Sequence, residues 1–311
     1  MSLATTDRSA VVQPAARRPR RIAAAVDGRS GGADAVALGA ALARLAGADL
    51  LLTAIEPDLQ TLLPGVAHRG PHEEIVRMLT DAGEHEGAPY RTLARTGPSV
   101  ARGLEAVVRE QRRDLLVMGS REGTAPGEVS IGHRTRALLH ELGCPLAVAP
   151  AGMASASRAI RHIAVGYDGG PHAAGALALG AGLAREAGTT LTLCGVIDDR
   201  LPSLGWPQVW LGEILEAWQD VMAGEETDLR EIATQALASL GIEAELRTPR
   251  GRPATALAEL SQEADLLIIG SRRWGAPARV ILGGTGEALA HSARCPLLVV
   301  PRPTRAFAAA R

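Results

Sequence analysis

Two glycine-rich segments combine glycine, serine and arginine in a pattern that could hold an anion. Segments 119–135 and 270–286 both begin Gly-Ser-Arg. Another glycine follows at the same spacing in each, Gly132 in the first and Gly283 in the second. Glycines let backbone N–H groups approach an anion closely, and the start of a helix adds donors and a positive partial charge. The pattern favours a phosphate site, although a simple strand-to-helix turn would use the same glycines.

The charged side chains of the two segments differ. Those of the first are Arg121, Arg134, Glu122 and Glu128. The second has arginines and no acid, namely Arg272, Arg273 and Arg279. Arginine forms charge-assisted hydrogen bonds with phosphate, whereas a carboxylate beside phosphates repels them by around 1 kcal/mol or more. The second segment is therefore predicted to be the better phosphate site.

Both segments belong to a longer pattern that occurs twice. Asp27 and Gly47 recur at one constant spacing as Asp168 and Gly188, and "DLLVMGS" recurs as "DLLIIGS". Each copy is long enough to be a domain, whereas the units of a solenoid are much shorter. The predicted divisions are a disordered tail at 1–20, domain 1 at 21–150, a linker at 151–159, domain 2 at 160–302 and a tail at 303–311.

Each copy alternates short apolar strands with segments of helical spacing. The first helical run ends at Gly47, and Ser99 is placed to cap a later helix. Continuous apolar strands separated by helices predict a parallel sheet covered on both faces. We expect an α/β fold of two tandem Rossmann-like or flavodoxin-like domains, each with a five-stranded parallel sheet. Ligands of such sheets bind beyond the carboxyl ends of the strands, where Asp27, Gly119, Asp168 and Gly270 are predicted to lie.

Composition excludes several classes of partner. The net charge is −1 and aromatic residues make up 2% of the 311 residues, so neither nucleic acid nor an anionic membrane is expected as a partner. No apolar run reaches about 18 residues, which predicts no membrane span. The three cysteines, Cys144, Cys194 and Cys295, suit a reducing cytoplasm better than a disulfide framework. The arginine-rich start is read as a tail rather than a transit peptide.

Common nucleotide motifs are missing from the sequence. No Gly-Lys-Ser/Thr follows either fourth strand, and no G-x-G-x-x-G follows either first strand. What does occur, in two copies, are "VDG", "LARLAGADL", "TGPSVARGL", "DLLVMGS" and "CPLAVAP" or their counterparts. This set resembles the universal stress protein family, over nearly the whole chain. The resemblance implies pairing of the copies through their last strands, binding of ATP or AMP in some members, and a regulatory role under stress.

The resemblance also implies which residues contact a nucleotide. The aspartates would accept hydrogen bonds from ribose or the adenine amino group, and the ends of the second strands would lend backbone to adenine. In domain 2 the predicted residues are Asp168, Val196, Gly270, Ser271, Arg272, Gly283, Gly284 and Thr285. In domain 1 they are Asp27, Ile55, Gly119, Ser120, Arg121, Gly132, His133 and Thr135.

Both copies depart from the family motif G-x2-G-x9-G-(S/T). Its second glycine is replaced by Glu122 and Arg273, and its closing pair reads Gly132–His133 and Gly283–Gly284. These changes leave alternatives open. The aspartates and glycines could only shape turns, and the protein could be a scaffold of this fold that acts through protein contacts. An enzyme of the nucleotide α-hydrolase or adenylyl-transfer class would need a phosphate loop or an acid/base pair that the sequence does not show.

The favoured interpretation is a cytoplasmic stress-response regulator that binds ATP, or AMP or ADP, better in domain 2 than in domain 1. Mg²⁺ would accompany ATP, and no turnover beyond slow hydrolysis is expected. The protein partners envisaged are a second copy of the chain or another regulatory protein. Trp206, Trp210 and Trp218 are spaced for one side of a helix and indicate core or domain packing, or a dimer surface. His68 and His72 are not expected to bind metal, because Pro71 interrupts a helical pair.

Overall fold

A computed structural model describes residues 18–57, 73–86, 88–139, 142–156, 159–200, 211–271 and 282–301, without the side chains of residues 134 and 211–216. The strands in these ranges are β1 (Arg21–Ala25), β2 (Asp49–Pro57), β3 (Tyr90–Gly97), β4 (Leu115–Gly119), β5 (Leu146–Ala149), β6 (His162–Gly166), β7 (Thr190–Cys194), β8 (Glu245–Arg247), β9 (Leu266–Gly270) and β10 (Leu297–Val300). The helices are α1 (Ser30–Ala46), α2 (Glu73–Glu84), α3 (Val100–Glu110), α4 (His133–Leu139), α5 (Met153–Ala156), α6 (Pro171–Ala187), α7 (Leu211–Leu240), α8 (Pro253–Glu263) and α9 (Gly284–Leu289).

All ten strands form one sheet, in the order β3-β2-β1-β4-β5-β10-β9-β6-β7-β8. Every neighbouring pair is parallel except β5 and β10, which run antiparallel with Ala147 opposite Leu298. The predicted fold class is confirmed: each copy contributes five parallel strands. The copies join through their last strands, as the resemblance implied, and the mirrored strand order relates them by a pseudo-twofold axis at the seam.

The central strands are buried on both faces, which explains their continuous apolar sequences. All four residues of β5 and of β10 are buried, and separate hydrophobic clusters lie on the two sides of the sheet. Gly47 and Gly188 end α1 and α6 in the left-handed conformation, at φ values of 59° and 63°. Ser99 accepts a hydrogen bond from the Arg102 N–H at 3.3 Å, so the predicted cap is confirmed. No helix in the described ranges is long and apolar enough to span a bilayer.

The segment predicted as a linker contains α5, which is tied to the first helix. Asp34 of α1 is 3% exposed, and its carboxylate accepts hydrogen bonds from the N–H groups of Gly152 and Ala154, both at 2.9 Å. α1 also contacts α6, its counterpart in the other copy. The connection between the copies is therefore held against domain 1 by a buried carboxylate.

Glycine ends β4 and β9 because a helix start lies against each strand end. A Cβ on Gly119 would lie 1.8 Å from the Gly31 carbonyl oxygen, and a Cβ on Gly270 would lie 2.7 Å from the His172 carbonyl group. Gly31 and His172 belong to the first turns of α1 and α6. This close backbone approach accounts for both glycines whether or not a ligand binds beside them.

We predict that Gly270→Ala lowers the free energy of unfolding by about 1–3 kcal/mol, because the added methyl group overpacks against the backbone of α6. Denaturant unfolding followed by circular dichroism measures the change. Gly224→Ala is the matched control, since a Cβ there meets no atom within 4 Å among the residues that the structure describes. In the exposed middle of α7 this change should stabilise the protein by about 0.5–1 kcal/mol. Equal stability of Gly270→Ala and wild type would contradict the packing account.

Candidate functional site

A cavity of about 380 Å³ lies in domain 2 at the carboxyl edge of β6, β7 and β9. This volume is within the usual range of small-molecule sites. Of the eight residues predicted for this domain, seven line the cavity: Asp168, Val196, Gly270, Ser271, Gly283, Gly284 and Thr285. The eighth, Arg272, lies outside the described residues, as do Arg273 and Arg279. The fold thus brings together residues that are distant in sequence.

The cavity lining combines apolar side chains with a glycine-rich turn. The apolar side chains include Val196, which follows β7, Leu257 of α8 and Ile269 of β9. Gly283 and Gly284 lie where α9 begins, and a Cβ on Gly284 would meet no atom of the described residues within 4 Å. Such a lining can contact both a flat apolar ring and a polar group.

The two aspartates shape matching turns after β1 and β6. Asp27 Oδ1 accepts a hydrogen bond from the Arg29 N–H at 3.1 Å, and Asp168 Oδ1 accepts one from the Gly170 N–H at 2.9 Å. Gly28 and Gly169 follow the aspartates with φ values of 74° and 75°. The turn-shaping alternative is thus observed for both residues. Asp168 also lines the cavity, where its carboxylate can accept hydrogen bonds from a ligand.

The serines after β4 and β9 are buried, and hydrogen bonds tie both to neighbouring strands. Ser120 Oγ donates to the Ala149 carbonyl oxygen at 2.7 Å and accepts from the Ser130 N–H at 3.1 Å. Ser271 is 6% exposed, and its N–H donates to the Val300 carbonyl oxygen at 2.8 Å. Through these bonds Ser120 connects the end of β4 to β5, and Ser271 connects the end of β9 to β10.

In domain 1 an ion pair links the two loops that flank the corresponding position. Arg29 Nη1 lies 2.6 Å from Glu122 Oε2, joining the turn before α1 to the loop after β4. The Arg121 stem lies beside Gly132, where an added Cβ would be 3.6 Å from Arg121 Cβ. Glu122, which replaces the second glycine of the family motif, is therefore paired with Arg29 from the facing loop.

The other residues predicted for domain 1 are more scattered. Ile55 packs on α3, since a Cβ on Gly103 would lie 2.4 Å from Ile55 Cγ2. His133 is exposed at the start of α4, whereas Thr135 is 4% exposed. Burial places Thr135 in the interior rather than at an open surface.

Comparison with known proteins decides the family. The model of the universal stress protein family matches residues 19–150 and 159–301. The chain belongs to the universal stress protein family. A universal stress protein of Mycolicibacterium smegmatis is 26% identical over 257 residues, covering 78% of this chain and 81% of that protein.

Solved structures share the fold of this universal stress protein over most of its length. A protein of unknown function from Pseudomonas aeruginosa has a TM-score of 0.63 at 18% identity, with 91% of this chain and 92% of that chain covered. A universal stress protein from Archaeoglobus fulgidus has a TM-score of 0.61 at 16% identity, with coverage of 91% and 98%. At these identities the similarity establishes the fold.

Sequence reasoning missed nine further described residues that line the cavity of this universal stress protein, among them Tyr167, His172 and Leu257. Tyr167 directly precedes Asp168, His172 lies in the first turn of α6, and Leu257 lies on α8. The rule that ligands bind at carboxyl ends of strands could have identified Tyr167. Only the packing of α6 on β9 and of α8 on the sheet places His172 and Leu257 beside the cavity.

The remaining predictions concern cysteine, tryptophan and histidine. The cysteines are buried and none forms a disulfide. Trp218 is partly buried on α7, while Trp206, Trp210, His68 and His72 lie outside the described residues. The described part of the chain contains no cluster of His, Cys, Asp and Glu that could hold a metal ion.

Burial suppresses the reactivity of the cysteine thiols. It raises the pKa of Cys194, which lines the cavity, to about 11, and that of Cys144 to about 12. Because the thiolate is the nucleophile, neither residue is activated near neutral pH.

We expect an aromatic disulfide reagent at pH 8 to label no cysteine of the native protein within minutes. All three cysteines should react after denaturation, since unfolding exposes every thiol and returns the pKa values of Cys144 and Cys194 to the ordinary range. The absorbance of the released thiolate measures the reaction. Stoichiometric labelling of Cys194 in the native state would contradict this account, and a Cys194→Ser variant would identify the residue that reacted.

Proposed function

We propose that this protein is a stress-response regulator that binds an adenine nucleotide in the cavity of domain 2. ATP is the favoured ligand, with AMP or ADP as alternatives and Mg²⁺ accompanying ATP. Adenine nucleotides are common ligands in the universal stress protein family. The observation that carries the proposal is the single cavity in which Asp168, Val196 and the Gly283–Thr285 turn meet.

The apolar and glycine-rich parts of the lining suit the two ends of a nucleotide. The apolar surface of Val196, Leu257 and Ile269 would take the base, while Asp168 would accept a hydrogen bond from a ribose hydroxyl or the adenine amino group. The turn at Gly283 and Gly284 would take phosphate, because backbone N–H groups are accessible where no Cβ intervenes. Arg272 stays a predicted phosphate contact.

Domain 2 is proposed as the better site for electrostatic reasons. In domain 1 the Glu122 carboxylate lies in the loop that would face phosphate, and it engages Arg29. A phosphate there would have to compete for Arg29 and would be repelled by Glu122. Among the described residues that line the domain 2 cavity, Asp168 is the one carboxylate and there is no glutamate. One nucleotide per chain is therefore proposed at moderate concentrations.

Ligand binding rather than turnover is the proposed mode of action. A nucleotide that binds one conformation or assembly more tightly than another shifts the balance between them. The partner that reads this shift is proposed to be a second copy of the chain or a regulatory protein. Three buried cysteines without disulfides suit a reducing compartment, which supports a cytoplasmic location.

Gly284→Ala tests the phosphate position directly. We expect it to weaken ATP binding by about ten-fold or more, equivalent to about 1.4 kcal/mol, because the methyl group enters the space that phosphate needs. Isothermal titration calorimetry of the full chain measures the affinity. The unliganded fold should tolerate the change, since the added Cβ meets no atom of the described residues within 4 Å.

Gly224→Ala is the control and should bind ATP like wild type. Gly224 is also a helical glycine, on α7, and an added Cβ there would also meet no atom of the described residues within 4 Å. Asp168→Ala should also weaken binding. If Gly284→Ala and Asp168→Ala bind ATP as tightly as wild type, the proposed position of the nucleotide is wrong. If wild type binds no adenine nucleotide, the scaffold alternative is supported. Release of many phosphate groups per protein molecule would favour the enzyme alternative.

Glu122→Gln tests the proposed preference for domain 2. Removing the carboxylate relieves a repulsion of about 1 kcal/mol, so a second, weaker ATP-binding event should tighten by about five-fold. Calorimetry at high ATP concentration measures it. Glu110→Gln, which breaks the Arg95–Glu110 ion pair at the far end of α3, is the control and should leave the second event unchanged. A wild-type stoichiometry of two equal sites would overturn the preference.

A further inference from the structure

Domain 1 contacts the helix that begins at the domain 2 cavity. The first residues of α9, Gly284 to Gly286, line the cavity, and Glu287 follows directly. The Glu287 carboxylate accepts a charged hydrogen bond from the guanidinium group of Arg136 on α4 of domain 1. Glu287, the carboxylate closest in sequence to the cavity-lining turn, is thus paired with a cationic side chain from the other domain.

Further contacts from domain 1 hold α9 and the turn that follows it. Arg136 Nη2 lies 3.1 Å from His291 Nε2. The N–H groups of Ile131 and Val129 donate to the carbonyl oxygens of Ala290 and Ala293 at 3.1 and 3.0 Å. Both alanines are fully buried. The loop before α4 therefore fixes the far end of α9 while Arg136 fixes its side.

Arg136 and Glu287 occupy equivalent positions in the two copies, at the same spacing as Gly119 and Gly270. The pseudo-twofold axis brings such equivalent positions together. In a dimer of identical chains, this contact would place like residues against each other. The tandem chain instead places opposite charges there, so the contact distinguishes domain 1 from domain 2.

The ion pair matters more for the local field than for overall stability. The Arg136 and Glu287 side chains are 39% and 41% exposed, and ion pairs at that exposure contribute little to folding. Without Arg136, however, the Glu287 carboxylate would carry an uncompensated negative charge one residue from the cavity lining. A phosphate group nearby would then be repelled.

We propose that Arg136 of domain 1 is a positioning residue for phosphate groups bound in domain 2. It neutralises Glu287, so that the Gly283–Thr285 turn can accept a polyphosphate, and its contacts with Glu287 and His291 also hold the side of α9. This inference rests on the proposed nucleotide site and adds that the site depends on the other domain. An uncharged ligand such as adenosine needs the cavity but not the neutralisation.

The test compares ATP with adenosine in calorimetric titrations of the full chain at low salt. Arg136→Met should weaken ATP binding by about five- to ten-fold and change adenosine binding by less than two-fold. Adding Glu287→Gln to Arg136→Met should restore ATP affinity to within about two-fold of wild type, because the unpaired carboxylate is gone. Arg109→Met, which breaks the exposed Arg109–Glu105 pair on α3, is the control and should change neither affinity.

Three results would overturn the inference. They are unchanged ATP affinity in Arg136→Met, equal loss for ATP and adenosine, and failure of Glu287→Gln to restore ATP binding. Hydrogen exchange of segment 282–293 without ligand gives an independent readout, and it should be faster in Arg136→Met than in wild type. If wild type binds no ATP yet exchange depends on Arg136, the proposed function fails while the positioning of α9 stands. Unchanged exchange contradicts the positioning as well.

Discussion

The antiparallel pairing of β5 with β10 is the contact on which the architecture depends. Each copy alone would end at an edge strand that is apolar throughout, with unpaired backbone groups along one side. Pairing these two strands satisfies both edges and produces one continuous sheet of ten strands. It also generates the pseudo-twofold axis that brings α4 against α9. The contact of domain 1 with α9, whose first residues line the domain 2 cavity, follows from this seam.

Fusion of two copies in one chain has allowed the copies to become different. Equivalent positions no longer need to be self-complementary, so Arg136 can face Glu287. The same freedom applies at the carboxyl edge of the sheet, where Glu122 of domain 1, which pairs with Arg29, stands at the position that Arg273 occupies in domain 2.

Much of the fold was predictable because its signals are local. Apolar strands, helical spacing, the helix-ending glycines Gly47 and Gly188 and the Ser99 cap all act within a few residues. The residues around the cavity were predictable in part, since carboxyl ends of parallel strands share one edge. His172 and Leu257 were missed because their role depends on how α6 and α8 pack. The structural roles of Ser120 and Gly270 were also hidden, because they depend on partners distant in sequence.

The sequence by itself determined that the chain is a tandem α/β protein, because periodic burial and turn residues are written into each short segment. It also placed aspartates and glycines at one edge of each sheet. Only the tertiary structure decided which of these residues meet around a cavity, since that outcome depends on distances across the fold. The contact of Arg136 with Glu287 is of this kind. A charge in one domain compensates a charge in the other only once the β5–β10 seam has brought them together.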